Sequence, residues 1–146
     1  MPAREDLGSQ FARITRRLIA LEQPLLDRHG VTMWEYAAML RLRSAPAETQ
    51  LQLAQAIRYD KTRLIALLDG LEQRGLVARE QAADDRRART VKLTRAGHAK
   101  VSALQQDIHS MENELLTPGQ LSNLQGLLAE ILGTTSPEAI PGHPRP

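Results

Sequence analysis

The spacing of apolar residues predicts that most of this chain is helical. Near the N-terminus, apolar side chains recur every third or fourth residue, which places them on one face of a helix. They are Phe11, Ile14, Leu18, Leu21 and Leu25. We predict a first helix over residues 6–28, ended by Gly30, which can adopt the left-handed backbone of a helix C-terminus. Pro24 lies inside the pattern and should kink the helix or end it early.

Three threonines mark the starts of further helices. Thr32, Thr49 and Thr117 are each followed three residues later by Glu or Gln. This is the capping-box pattern, in which the side chain of each residue bonds to the backbone N–H of the other. The pattern predicts a helix that begins at residue 33, a short helix over residues 50–57, and a final helix that begins at Pro118 and ends near residue 132.

Two more helices begin after single capping residues. Asp60 precedes a leucine-rich helix over residues 61–74, which Gly75 ends. Within that helix, Gly70 costs about 1 kcal/mol relative to alanine and predicts close packing of another backbone against it. Thr94 precedes a long helix whose apolar residues are spaced alternately three and four apart, as in a coiled coil. They are Val101, Leu104, Ile108, Met111 and Leu115.

A basic segment lies between two short predicted strands. Residues 76–80 and 90–93 have the composition and length of strands, and together they predict a hairpin that needs the helices for support. The loop between them carries three arginines within five residues, Arg86, Arg87 and Arg89. The fold class is therefore mainly α with a small β-hairpin. A short helix, a tight link at residues 57–60, a second helix and a hairpin make a winged helix-turn-helix.

Charge is distributed unevenly along the chain. Residues 58–100 carry eleven Lys/Arg against six Asp/Glu, whereas residues 101–146 carry one against five. A basic middle favours one face offered to a polyanion, and the alternative is a scattered, solvated surface. The aromatic content of 3% argues against a stacking platform for single-stranded nucleic acid. No apolar signal region or membrane-spanning stretch is present, so we expect a cytoplasmic protein without a membrane partner.

The helix-turn-helix pattern identifies candidate DNA contacts. In such units the N-terminal residues of the second helix meet base edges in the major groove, and here these are Lys61, Thr62 and Arg63. Asp60 would cap that helix rather than contact DNA.

The basic loop would be the wing. We expect Arg87 to enter the minor groove, where the negative potential is enhanced, and Arg86 and Arg89 to contact phosphates. Asp85 would act as a buttress that pairs with an arginine and holds the wing. The alternative is that these arginines form a solvated hairpin tip.

The same residues resemble the MarR family of transcriptional regulators. The family's wing signature, Asp-x-Arg-x-x-x-Val-x-Leu-Thr-x-x-Gly, is met at six positions. They are Asp85, Arg87, Val91, Leu93, Thr94 and Gly97. Residues 60–64 and 71–79 also resemble the family's recognition helix and first wing strand, and the likeness extends over residues 30–133. Gly70 departs from the larger residue that the family usually has there. The resemblance implies a transcriptional regulator that binds double-stranded DNA, most simply as a repressor.

A homodimer is expected because a single recognition helix contacts too few base pairs for useful specificity. Such proteins bind as two-fold dimers on palindromic half-sites about one helical turn apart. We assign residues 1–29 and 98–133 to a helical dimerisation region and residues 30–97 to the winged helix-turn-helix. Residues 134–146 would be a disordered tail. The alternative is that the terminal helices pack only within their own chain.

The resemblance also implies a small-molecule effector. Members of the family often release DNA when a small aromatic or phenolic acid enters a pocket between the dimerisation helices and the DNA head. Arg13, Arg16 or Arg17 could pair with its carboxylate, and Trp34 or Tyr36 could wall its ring. The alternative is that the arginines are a solvated helix face and the aromatic residues belong to the core. Without cysteine, the family's thiol-based peroxide sensing is excluded.

Other classes of function find less support. Among the four histidines, His109 has Glu112 three residues later on one helix, and His29 could approach that pair across a dimer. Three such residues are a thin ligand set for zinc, so we predict no metal and no cofactor. No nucleophile with its base and no glycine-rich phosphate loop is present, so we predict no enzyme. The alternative from another class is a helical protein-interaction module whose basic wing binds an acidic partner.

Overall fold

The computed structural model describes residues 3–45, 48–82 and 85–134. Over these residues the chain forms six helices and three short strands, which confirms the predicted fold class. The helices are α1 (Leu7–His29), α2 (Met33–Ser44), α3 (Gln50–Ile57), α4 (Lys61–Gln73), α5 (Arg95–Leu115) and α6 (Pro118–Thr134). The strands are β1 (Glu48–Thr49), β2 (Val77–Ala82) and β3 (Asp85–Leu93). None of the described helices is long and apolar enough to cross a membrane. Of the predicted tail, Thr134 ends α6 and residues 135–146 lie outside the described residues.

Helix α1 runs through Pro24, so the prediction of an early end there is wrong. The helix continues to His29 and stops where predicted, at Gly30, whose φ of 66° is left-handed. The backbone N–H of Gly30 donates to the carbonyl of Asp27 over 3.0 Å. A proline removes one hydrogen bond inside a helix, and the adjoining turns of α1 tolerate that loss.

The predicted helix starts are confirmed by their capping contacts. Thr49 and Gln52 bond reciprocally at the start of α3, and Thr117 and Gln120 do so at the start of α6. The Thr32 hydroxyl accepts from the backbone N–H of Glu35 over 3.2 Å at the start of α2. Each bond satisfies a donor that the first turn of a helix leaves without a partner.

The chain divides into two compact units, one ending at Ile108 and one beginning at His109. The core of the first unit comes from every one of its elements except the very short β1. Its fully buried large side chains are Leu26, Met39, Leu42, Leu53, Leu64, Leu68, Leu71, Val77, Val91, Val101 and Leu104. The first three positions of the coiled-coil-like spacing on α5, through Ile108, are therefore buried by their own chain.

The sheet has three strands in the order β1-β3-β2, all antiparallel. The sequence predicted a two-stranded hairpin, and β1 is an additional strand that pairs Glu48 with Val91. Strand β3 begins at Asp85, which pairs with Ala82, so the arginines predicted to lie in a loop lie on a strand. The ladder with β2 extends the strand beyond the residues whose composition indicated it.

The wing is joined to α5 at Thr94 and Gly97. The Thr94 hydroxyl accepts from the backbone N–H of Gly97 over 3.0 Å and donates to the carbonyl of Gly75 over 2.5 Å. A Cβ on Gly97 would overlap the carbonyl oxygen of Leu76 and lie 3.0 Å from Leu93. Only glycine therefore lets the first turn of α5 approach the start of β2 this closely. By contrast, the prediction of close packing at Gly70 is wrong, because a Cβ there would meet nothing within 4 Å.

Candidate nucleic-acid interface

The connection between α3 and α4 is a three-residue turn fixed by backbone and side-chain bonds. Arg58 adopts a left-handed conformation, with φ of 54°, which ends α3 abruptly. The N–H of Tyr59 donates to the carbonyl of Ala54 over 2.9 Å. The carboxylate of Asp60 accepts from the N–H of Arg63 over 2.8 Å, as an N-cap. The direction in which α4 leaves the turn is thus set by short-range contacts.

Helix α4 has one buried face and one exposed face. Leu64, Leu68 and Leu71 are completely buried, so the opposite side of the helix faces outward. Lys61, Thr62 and Arg63 are all exposed in its first turn. The positive end of the helix dipole and the unpaired N–H groups of the first turn lie there too. This end of α4 presents positive charge and hydrogen-bond donors, which suit phosphate oxygens and guanine acceptors.

Arg63 is supported by a column of aromatic rings that sequence reasoning missed. Its guanidinium carbon lies 5.5 Å from the centroid of the Tyr59 ring, within cation–π distance. Tyr59 also contacts Trp34 of α2, with ring centroids 4.6 Å apart and planes tilted by 32°. The four-residue spacing of Tyr59 and Arg63 was a usable signal, whereas the contact with Trp34 depends on the tertiary fold.

Arg79 of β2 connects the recognition helix to the wing, and it too was missed from sequence. Its side chain is only 7% exposed. Nε donates to Glu72 over 2.9 Å, one Nη donates to Asp69, and the other donates to Gln50 of α3 over 3.3 Å. The hydrogen bond from Arg79 lowers the pKa of Glu72, and the same contact raises the pKa of Arg79. We call Arg79, Asp69 and Glu72 the helix–wing clamp.

Two further arginines position the helix-turn-helix. Arg74, just after α4, donates to the carbonyl of Gly30 over 2.6 Å and pairs with Glu35 of α2. Arg41 of α2 pairs with the buried Glu48 of β1, which raises the pKa of Arg41 through hydrogen bonding and charge. Both pairs are charge-assisted, and such hydrogen bonds are the stronger kind. They connect α2 to the end of the recognition helix and to the sheet.

The predicted wing residues lie along β3. The backbone of Asp85, Arg86 and Arg87 is in that strand, but their side chains lie outside the described part of the structure. Arg89 is described; it is exposed and pairs across the ladder with Gln81. The roles expected for these four residues remain predictions.

The five residues predicted to form a ligand pocket lie in different surroundings. Arg13, Arg16 and Arg17 are exposed on α1, where Arg13 pairs with Glu5 over 2.9 Å. Tyr36 is buried, with 7% of its surface exposed, whereas Trp34 is 44% exposed and contacts Tyr59. The pocket therefore also stays a prediction.

His29 forms an ion pair or hydrogen bond with Asp107. Its Nε2 lies 2.7 Å from the carboxylate of Asp107 on α5. Among the described residues, no group of three His, Cys, Asp or Glu side chains could hold a metal ion.

Comparisons with known proteins agree with this geometry. The model of the MarR family matches residues 29–88. The apo form of E. coli MarR is 25% identical with a TM-score of 0.79, and the match covers 89% of this chain and 98% of that one. CouR, a transcriptional repressor bound to a 23-mer DNA duplex, is 25% identical with a TM-score of 0.76, covering 87% and 92%.

NadR in complex with 4-hydroxyphenylacetate shares the fold, with 22% identity, a TM-score of 0.70 and coverage of 90% and 97%. The family model covers the helix-turn-helix and most of the wing, and the structural likeness extends over nearly the whole described chain. The proteins that this chain matches are transcription regulators rather than enzymes. The exposed, basic start of α4 and its supporting contacts thus belong to a DNA-binding transcriptional regulator, whose helix-turn-helix matches the MarR family model over residues 29–88.

Proposed function

We propose that this protein is a repressor that binds a palindromic operator as a homodimer and leaves it when a small aromatic or phenolic acid binds. The observation that carries the proposal is the first turn of α4, where exposed Lys61, Thr62 and Arg63 surround the positive end of a helix dipole. These side chains would contact base edges and phosphates in the major groove. Because such a regulator acts on chromosomal DNA, we place it in the cytoplasm.

The wing would contact the neighbouring groove. In this proposal Arg87 enters the minor groove, Arg86 and Arg89 contact phosphates, and Asp85 holds the wing. Support comes from the pairing of Asp85 with Ala82, which puts these residues next to the tip of the hairpin. The helix–wing clamp would then keep the wing at a constant distance from α4.

The dimer is supported by apolar surface that the chain leaves exposed. In α1 only Leu26 is buried, while Leu7, Phe11 and Ile14 are 54%, 41% and 52% exposed on one face of the helix. In α6, four large apolar residues are likewise exposed: Leu124, Leu127, Ile131 and Leu132. A second copy would cover such surface. We therefore propose that residues 1–29 and 98–133 form the dimerisation region.

The effector is the part of the proposal that concerns regulation. NadR was solved with 4-hydroxyphenylacetate, an aromatic acid of the expected class. In this chain, we propose that Trp34 or Tyr36 contacts the ring and that Arg13, Arg16 or Arg17 contacts the carboxylate. The column from Trp34 through Tyr59 to Arg63 supports the coupling, because a ring placed against Trp34 would alter the support of a DNA-contacting side chain.

Selection from a pool of random DNA duplexes tests the DNA function. We expect the full-length protein to enrich a palindrome whose half-sites lie about one helical turn apart. It should protect that sequence in a footprint and lower transcription from a promoter that contains it. Enrichment of no sequence, together with binding to acidic proteins, would instead favour the interaction module.

Fluorescence of Trp34, the single tryptophan, tests the effector. Titration with 4-hydroxyphenylacetate and related hydroxybenzoates should change the emission saturably and release the selected duplex. Unchanged emission and unchanged DNA affinity across these acids would contradict the effector part and leave the DNA-binding part standing.

A further inference from the structure

The middle of the recognition helix presents an apolar surface to the outside. Ile65 is 38% exposed, and Thr62 and Ala66 beside it are exposed as well. This face of α4 points outward, because Leu64, Leu68 and Leu71 on the other side are completely buried. Residues 64–68 include no side chain that can form a hydrogen bond. We call Thr62, Ile65 and Ala66 the apolar reading patch.

A single exposed isoleucine on a protein surface needs no explanation, but the place of this one is informative. Lys61 precedes it by four residues and lies next to it on the helix surface. One turn further along, the carboxylate of Asp69 is paired with Arg79. The patch therefore lies between Lys61 and Asp69, whose negative charge is paired with Arg79. It lies on the face of α4 that would enter the major groove.

The chemistry of the major groove leaves one apolar partner for such a patch. Guanine, adenine and cytosine present hydrogen-bonding groups there, whereas thymine also presents its C5-methyl group. The patch offers no donor or acceptor apart from the Thr62 hydroxyl. We propose that Ile65, with Ala66 and the methyl group of Thr62, reads thymine in the operator by contact with its C5-methyl group.

This inference rests on the proposed function and adds a specificity-determining residue to it. Lys61 and Arg63 would supply hydrogen bonds and charge, and Ile65 would supply the preference for thymine at one or two positions of each half-site. Removal of one buried methyl group from such a contact should weaken binding roughly fourfold.

Deoxyuridine provides the direct test, since it pairs as thymidine does but lacks the C5-methyl group. The probe is the duplex enriched from the random pool by the full-length protein, with each thymidine of the half-sites replaced in turn by deoxyuridine. We expect roughly fourfold weaker binding at one or two positions. In the Ile65→Ala protein, the difference between the thymidine and deoxyuridine duplexes should shrink at those positions, because only Ala66 and the methyl group of Thr62 remain to contact thymine.

Ile19→Ala is the matched control, because Ile19 is an isoleucine that is 46% exposed on α1, off the face of Leu7, Phe11 and Ile14. It should keep the full difference between thymidine and deoxyuridine. Thermal unfolding of both variants checks that each is folded.

Three outcomes would overturn this inference alone. Deoxyuridine has no effect anywhere in a bound half-site, Ile65→Ala keeps the wild-type difference, or the selected half-site contains no thymine. If no duplex is enriched at all, the inference and the proposed function fail together.

Discussion

At the scale of single residues, Arg63 lies over an aromatic ring, 5.5 Å from the centroid of Tyr59. A cation over a ring is held without a neighbouring carboxylate, which would compete with DNA for the same guanidinium. Arg63 is exposed and lies over Tyr59, which in turn contacts Trp34. The side chain is thus restrained before DNA arrives, and restraint of this kind reduces the entropy lost on binding.

Replacement of Tyr59 by leucine tests this role of the ring. Loss of a cation–π contact worth about 0.5–1 kcal/mol in each of the two protomers should weaken operator binding by roughly five- to thirtyfold. Tyr59→Phe, which keeps the ring, should bind as the wild type does. In an Arg63→Ala background Tyr59→Leu should have no further effect; additive losses in the double variant would contradict the contact. Fluorescence anisotropy with the selected duplex measures all four proteins.

Gly70→Ala tests the absence of close packing on α4. Because a Cβ at Gly70 would meet nothing within 4 Å, alanine should gain helix propensity without steric cost. We expect stabilisation by about 0.5–1 kcal/mol in urea unfolding. Gly97→Ala is the contrasting variant and should destabilise the protein, because its Cβ would overlap the carbonyl of Leu76. A destabilised Gly70→Ala protein would show that another element packs there.

The sequence was sufficient to predict the local residue roles and insufficient for those that depend on the tertiary fold. The capping bonds of Asp60, Thr49 and Thr94 each reach only three residues along the chain, and all three residues were predicted as caps. Arg79 is different, because it reaches residues 7, 10 and 29 positions away in sequence. The pattern of a strand indicates that the side chains of Arg79 and Ala78 point to opposite faces of the sheet. It does not show which helix packs against either face.

At the scale of secondary-structure elements, the recognition helix and the wing are joined by charge. Arg79 pairs with two carboxylates of α4, and its own side chain is almost fully buried. Breaking one partner of such a contact leaves the other with unmet hydrogen bonds. We therefore expect the helix–wing clamp to affect stability and the spacing between the two DNA-contacting elements.

Glu72→Gln tests the helix–wing clamp through pH. Since Arg79 lowers the pKa of Glu72 in the folded state, the stabilisation is complete above the ordinary glutamate pKa of about 4.3. It is lost as the pH falls through the lower, folded-state pKa. The variant should thus have a lower unfolding temperature than the wild type at pH 7, and the difference should shrink towards zero in acid.

Glu114→Gln, on α5 outside the clamp, is the control and should unfold as the wild type does at pH 7. A difference between Glu72→Gln and the wild type that stays constant from pH 7 into acid would contradict the assignment. Differential scanning calorimetry across the pH range provides the measurement.

Helix boundaries were predictable and strand boundaries were not, for a physical reason. Helix α3 begins and ends where its caps indicate, because capping contacts are local. Strand β3 extends to Asp85, and β1 consists of only two residues. Both depend on partners far away in sequence, so their own composition carries little information about them.

At the scale of the whole molecule, α1 and α6 each have an apolar face that is exposed in the single chain. Leu7, Phe11 and Ile14 lie on one face of α1, and Leu127 of α6 is 58% exposed. Contiguous exposed apolar surface of this kind marks an interaction site. The dimer that we propose would bring two recognition helices to two half-sites at once.

Charge placed on the apolar face of α1 tests the dimer. The double variant Phe11→Glu/Ile14→Glu should be monomeric in sedimentation, because two carboxylates would be buried at the interface. Its operator affinity should fall by roughly a hundredfold or more, since the half-sites are no longer bound together. Ile19→Glu, off that face, should stay dimeric. A double variant that sediments as a dimer and binds normally would contradict this interface.

The proposed regulator depends on sequence-specific DNA binding by the recognition helix and the wing together. The most direct measurement is the dissociation constant for the selected palindrome and for a scrambled duplex of the same composition, from about 50 to 200 mM salt. We predict a preference of roughly a thousandfold or more for the palindrome and a steep loss of affinity with salt. In the Arg87→Ala protein, which loses one cation from each of the two wings of the dimer, the salt slope should fall by about two. Equal affinity for both duplexes, or an Arg87→Ala protein indistinguishable from the wild type, would contradict the account.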